Sequence, residues 1–290
     1  MKDFNTLRSL KGLFSLWIVL RPYRKRTVDM IVRSLKVSRW KAWKIFFSGL
    51  LSFVRQANQY IYLTNLGIEK ICDVATKIHI EDESFLRLAL ASERPMLIVT
   101  MHMGDFQIGF LKLVEAFTPL TRKFSVFKMS AADAKEEILL RAFKKFGINP
   151  QMLRANEQGG RQAFLALRAG NIVAMTIDLE VNVKARSVIN FLGHPCYMQN
   201  GPATIALINK ALILPVINFT DENGRRVVKI YPYIDTLNVF PSLPMVKRVD
   251  LLTQQLAEQL EIWIRTWPSQ VQAWFAIADT LVEPLPKNKT

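Results

Sequence analysis

Beyond Leu66 the sequence alternates short apolar runs with stretches of helical periodicity, and no other feature narrows the choice of fold so far. The runs "PMLIVT" (95–100), "KFSVFK" (123–128), "IVAMTI" (172–177), "SVINFL" (187–192), "LILPVINF" (212–219) and "RVVKIYPY" (226–233) have the length and side-chain character of strands. Helical patterns lie between several of them, over 105–117, 133–146, 157–169 and 202–210, and a last one runs over 246–267. Alternation of this kind predicts an α/β fold, a mixed and largely parallel sheet flanked by helices. The stretch "TDENGRR" reads as a turn between two antiparallel strands. No internal repeat or low-complexity segment interrupts the pattern.

The first sixty residues differ in texture. They carry 13 Lys or Arg against 2 acidic residues, a net +11 out of the +15 of the whole chain. Large apolar residues are interleaved with those cations: "GLFSLWIVL" (12–20) precedes "RPYRKR", and "RWKAWKIFFSGLLSF" begins at Arg39, so that Trp17, Trp40 and Trp43 stand among the charges. Nine apolar residues fall well short of the ~20 needed to span a bilayer, but they suit a segment lying in the headgroup zone. Each Lys or Arg near an anionic lipid surface contributes about 1 kcal/mol of attraction. Nucleic acid attracts the same charge, but the interleaved Leu, Ile, Phe and Trp favour a membrane, and no nucleic acid is expected. The plainer alternative is a helical layer whose apolar stripe packs on the protein's own core. The expected organisation is a basic, apolar, helical membrane-facing region over 1–70, an α/β domain over 71–282 and a tail over 283–290.

Half of the 290 residues are hydrophobic, enough for a substantial core. Cys72 and Cys196 offer no disulfide framework, and two separated cysteines with three scattered histidines supply no local metal-ligand cluster. No signal-peptide cleavage pattern is evident, which favours the cytoplasmic side. The stretch "NEQGGRQA" places two glycines before a helix but lacks the Gly-Lys-Ser/Thr of a nucleotide-binding loop. His194 and Cys196, two apart on a strand, are separated by about 6.5 Å along the chain, too far to act as a base and its thiol. Cys196 is expected to be buried filler, and His79 a linker residue.

"MHMGDFQ" (101–107) is different, because it follows the first strand after the basic region. In open α/β sheets ligands gather at the carboxyl ends of the strands, and His102 is expected two residues past such an end. Gly104 allows a tight turn, and Asp105 stands where it could cap the next helix. A neutral imidazole in that place can take a proton from a hydroxyl or amine, the step that a general base supplies in acyl transfer.

These residues resemble the late acyltransferases of lipid A biosynthesis, the lauroyl and myristoyl transferases, whose signature is a His, a Gly two residues on and an acidic residue five after the His. The resemblance covers residues 96 to 275. "VFK", ending at Lys128, looks like the family's strand that closes on a basic residue, and "LRAGNIVAMTIDLE" like its segment before an Asp, here Asp178. "SVINFLGHPCYMQNGPATIAL" is similar to its strand, turn and Gly-started helix, which begins here at Gly201, and "WIRTWPSQVQAWF" to its closing Pro and Trp. The resemblance implies a glycerolipid acyltransferase-like sandwich and direct acyl transfer with His102 as general base, needing neither cofactor nor metal. It implies an acyl thioester donor, on acyl carrier protein more readily than on coenzyme A, a lipid or glycolipid acceptor, and a place at the cytoplasmic face of the inner membrane. Gly104, Lys128, Asp178 and Gly201 become substrate-contact candidates. This sequence departs from the pattern at Gln107, which occupies the acidic position. The imidazole's partner is then Gln107, through its carbonyl, or Asp105, with Glu180 a more distant candidate. An inactive relative that binds lipid or a protein, and a basic nucleic-acid- or membrane-binding protein, are the alternatives.

Overall fold

The computed structural model describes residues 12, 14, 15, 17–117, 122–128, 134–178, 186–272 and 274–282. In chain order they form α1 (Arg24–Leu35), α2 (Arg39–Leu66), α3 (Ile68–Thr76), β1 (His79–Glu81), α4 (Glu83–Ala91), β2 (Met96–Thr100), α5 (Phe106–Glu115), β3 (Phe124–Lys128), α6 (Ala134–Lys145), β4 (Gln151–Arg154), α7 (Glu157–Arg168) and β5 (Ile172–Thr176). A hairpin of β6 (Arg186–Phe191) and β7 (His194–Gln199) follows, then α8 (Gly201–Ile208), β8 (Leu212–Thr220), β9 (Arg226–Ile230) and β10 (Ile234–Asp235). The chain continues through α9 (Met245–Thr266), a 3-10 turn (Pro268–Gln270) and α10 (Trp274–Val282).

The main sheet has the order β1-β9-β8-β2-β5-β3-β4, with β10 alongside the start of β8. From β8 through β2, β5 and β3 to β4 every pairing is parallel, whereas β9 and β10 run antiparallel to β8. The sheet is therefore mixed and largely parallel, as the alternating sequence predicts. All five residues of β2 are buried, because helices cover both faces. Leu97 and Val99 enter a core shared with α1, α2, the hairpin, α8, α9 and α10, while Met96 and Ile98 enter a second core under α3 to α6. Burial of this kind contributes roughly 1.5–3 kcal/mol per large side chain.

Four strands escape the apolar-run criterion: β1 and β10, only three and two residues long, β4 and β7. β4 lies at the sheet edge with Leu153 its only fully buried residue, so its sequence carries little apolar signal. β7 begins "HP" and pairs only within its hairpin, where Phe191 faces His194 across Leu192 and Gly193, both at positive φ. Positive φ at both turn residues matches the twist that a two-residue hairpin requires. His79 opens β1 and pairs in parallel with Val227, so it is a strand residue rather than part of a linker. Cys196 is buried on β7, two residues from His194.

The hairpin's outer backbone is covered by α9. Gln254 accepts from the Asn190 N–H and donates to its carbonyl, Glu261 accepts from the Leu192 N–H, and Asp250 accepts from the Ser187 hydroxyl. Gln254 thereby occupies the Asn190 backbone groups, which would otherwise invite another strand.

The basic N-terminal helices join the same core. α1 buries Thr27, Val28, Met30, Ile31 and Ser34 along one stripe. Ser38 caps α2 by accepting from the Lys41 N–H. Gly49 of α2 lies against the segment before α10, where an added Cβ would stand 2.4 Å from the Val271 carbonyl oxygen. The opposite side of this layer leaves large side chains in solvent, among them Ile18, Val19, Trp40 and Phe47. Among the described residues, no helix is long and apolar enough to cross a membrane.

Candidate active site

β2 and β5 are parallel neighbours with Thr100 opposite Thr176, so the two strands leave the sheet at the same level. His102 follows one strand by two residues and Asp178 follows the other by two. Their side chains meet: Nδ1 of His102 lies 2.9 Å from Oδ1 of Asp178. The second carboxylate oxygen accepts from the His102 backbone N–H, also at 2.9 Å. One carboxylate thus holds both the imidazole and the backbone that carries it. Asp178 is buried, with 1% of its side chain exposed, while the imidazole keeps 21%.

Burial pushes the pKa of His102 down, but the charge of Asp178 and its hydrogen bond to the ring together outweigh that effect, and the pKa stands above its ordinary value. With Asp178 ionised, the neutral ring carries its proton on Nδ1 and presents the lone pair of Nε2. Phe106 stands edge-on to the ring with centroids 4.9 Å apart and limits how the imidazole can tilt.

The turn itself is fixed by its neighbours. Met101 and Met103 are fully buried on either side of His102. Gly104 adopts φ +54, and a Cβ there would lie 2.6 Å from the Asn218 carbonyl oxygen of β8. Left-handed backbone and a backbone obstruction both demand glycine. Gly104→Ala should therefore lower the unfolding free energy by about 3 kcal/mol, since a strained φ and a forced backbone shift each cost about 1–3 kcal/mol. Chemical denaturation of the variant checks this.

The other residues singled out by the sequence fall in different places. Asp105 precedes α5 but its side chain makes no cap bond; it pairs with Arg226 of β9, and so neither caps the helix nor serves the imidazole. Gln107 sits half-buried in the first turn of α5. The ring nitrogen it was expected to hold is taken by Asp178, which changes from a substrate-contact candidate to the partner of His102. Glu180 lies outside the described residues, as does the tail over 283–290. Lys128 ends β3 opposite Arg154 of β4, at the same carboxyl edge as His102 and Asp178. Gly201 opens α8 with open space where a side chain would be, so close packing does not explain the glycine. Among the described residues, no group of three His, Cys, Asp or Glu could hold a metal ion.

Sequence reasoning missed Arg226 and Gln272, which bind the motif from 121 and 168 residues away. One of two adjacent Arg after a turn and a Gln before a helix carry no local signal of such a role.

The order of β2, turn, α5 and the later strand followed by an acid lies within a stretch that matches a known family. The family model for bacterial lipid A biosynthesis acyltransferases matches residues 54–277. The chain belongs to that family. No curated protein sequence matches it. For a lipid A biosynthesis acyltransferase family member the reaction class is acyl transfer, and the matched stretch contains both His102 and Asp178. It begins within α2, so the more basic segment before residue 54 lies outside the match.

Proposed function

We propose that this protein transfers a fatty acyl group from an acyl thioester, carried by acyl carrier protein in preference to coenzyme A, to a hydroxyl or amine of a lipid or glycolipid. The observation that carries the reading is the two-point contact between Asp178 and His102. Nε2 of the neutral imidazole takes the acceptor's proton as its oxygen or nitrogen attacks the thioester carbonyl. The tetrahedral intermediate collapses with cleavage of the C–S bond, and the imidazolium returns the proton to the departing thiolate. Asp178 keeps the ring in the productive tautomer and offsets the imidazolium charge, as a carboxylate does in a serine-protease triad. It carries the negative charge that Gln107 lacks, which supports activity over a lipid-binding relative without chemistry.

The place of action in this reading is the cytoplasmic face of the inner membrane. Trp40 and Phe47 are exposed on α2 among Arg39, Lys41 and Lys44, and the Lys44 ammonium lies 5.2 Å from the Trp40 ring centroid. Such a face can seat aromatic rings at headgroup depth with cations toward anionic lipid. The net charge of +15 also favours an acidic donor carrier over a neutral one.

The test is thiol release and acylated-lipid formation with acyl carrier protein and coenzyme A donors, on vesicles containing bacterial lipid extract. Transfer by the native protein and none by His102→Ala supports the reading, and equal turnover by both removes His102 as the base. Gln107→Glu is expected to change the rate less than about threefold, because Asp178 already occupies the ring nitrogen; a large rise would return the partner's role to position 107.

A further inference from the structure

The segment between the 3-10 turn and α10 runs along the His102 turn and holds its backbone independently of Asp178. Met103 and Val271 form an isolated antiparallel bridge. The backbone N–H of Gln272 donates to the His102 carbonyl at 3.1 Å. Its side-chain Nε2 donates to the Gly104 carbonyl at 2.6 Å. Gln272 is buried, 3% exposed, so these bonds have no ready replacement in water. Together with the bond from the His102 N–H to Asp178 they restrain the turn's backbone before and after the catalytic side chain.

We infer that Gln272 is a positioning residue for acyl transfer: its amide fixes the Gly104 carbonyl and thereby sets the approach of the His102 ring to Asp178 and to the substrate. The inference rests on the proposed acyl transfer for its kinetic consequence, but its geometric content does not. Gln270, two residues earlier, makes the contrast. Its side chain accepts from the Thr220 N–H at 2.8 Å and donates to the Thr220 carbonyl at 2.7 Å, so it fastens the same segment to β8 without touching the turn. Two glutamines of one strap thus hold two different things.

The test compares Gln272→Met, Gln272→Glu and Gln270→Met in the full chain. Methionine keeps the length of glutamine but cannot donate. Gln272→Met is expected to lower kcat by about 10–100-fold with KM changed less than about threefold, the pattern of a misplaced catalytic group rather than of lost binding. The second readout needs no turnover: the titration of His102 by NMR, in a chain with only three histidines. Among the described residues the charged group that acts on the ring is Asp178, from the loop after β5, while Asp105 at the end of the turn is engaged by Arg226 of β9. Loosening the contact with Asp178 should move the titration of His102 to lower pH in Gln272→Met and leave it unmoved in Gln270→Met. A protonated Glu can donate to the Gly104 carbonyl where an ionised one cannot. Gln272→Glu should therefore lose both the native titration and the native kcat progressively as pH rises, and it carries the test if the Met variant does not fold. Native titration of His102 in Gln272→Met, or in Gln272→Glu across the pH range, overturns the inference. Absence of turnover in the native protein counts against the acyl-transfer reading alone, since the titration still decides the positioning role.

Discussion

Asp178→Asn is expected to lower acyl transfer by about 10⁴-fold while leaving His102 in place, a loss of the size seen when an orienting Asp becomes Asn elsewhere. The reason lies in the two oxygens. In the native protein one accepts from the His102 backbone N–H and the other from the imidazole. Asparagine has one acceptor and one donor. If its oxygen serves the backbone, its NH₂ faces Nδ1, which must give up its proton, and Nε2 becomes protonated and useless as a base. If its oxygen serves the ring, two N–H groups confront each other at the backbone. The activity that remains should also shift with pH. With neutral His102 as the proposed base, the rate should fall as pH drops through the raised pKa of the native protein. Without the charge of Asp178 the downward push of burial is unopposed, and the acid limb moves to lower pH. Stability follows the same linkage. A raised folded value means that the pair's contribution is full below the ordinary value of 6.5 and is lost as pH rises through the raised one. The difference in Tm between native and Asp178→Asn should accordingly widen toward pH 6. Rate and melting profiles over pH check both statements.

His102→Ala should abolish transfer to the same extent or further, because it removes the base itself, and it should cost stability by a different route. The carboxylate of Asp178, 1% exposed, then keeps, among the described residues, only the His102 backbone N–H as a donor. Breaking a buried pair by removing one member costs about 3 kcal/mol. Asp178→Asn leaves no buried charge behind and should be the milder of the two at neutral pH. The two variants thus share a kinetic defect and differ in stability, which thermal melts on the same preparations separate from general misfolding.

The His102 turn was legible in the sequence because it combines two local signals, an apolar strand that stops and a histidine followed by glycine. Its position two residues past β2 follows directly. The partner was not legible in the same way. Asp178 lies 76 residues on, and only the pairing of β2 with β5 brings it to the ring. Reasoning along the motif pointed instead to Gln107 and Asp105, which are near in sequence but are carried elsewhere: one into the first turn of α5, the other toward Arg226. The sheet shows the same division. β2, β5 and β8 were plain because burial on both faces leaves unbroken apolar runs, whereas β4 at the edge and the Pro-containing β7 carry no such run.

The strap at Val271 and Gln272 also bears on when the enzyme can exist. The His102 turn is completed by contacts 168 residues further along the chain, and α2 rests on the same piece of backbone through Gly49. A chain emerging from the ribosome at roughly 5–20 residues per second exposes its basic amino-terminal helices many seconds before that strap. The His102 turn therefore gains its full set of backbone restraints only after Gln272 has been made, long after the basic helices.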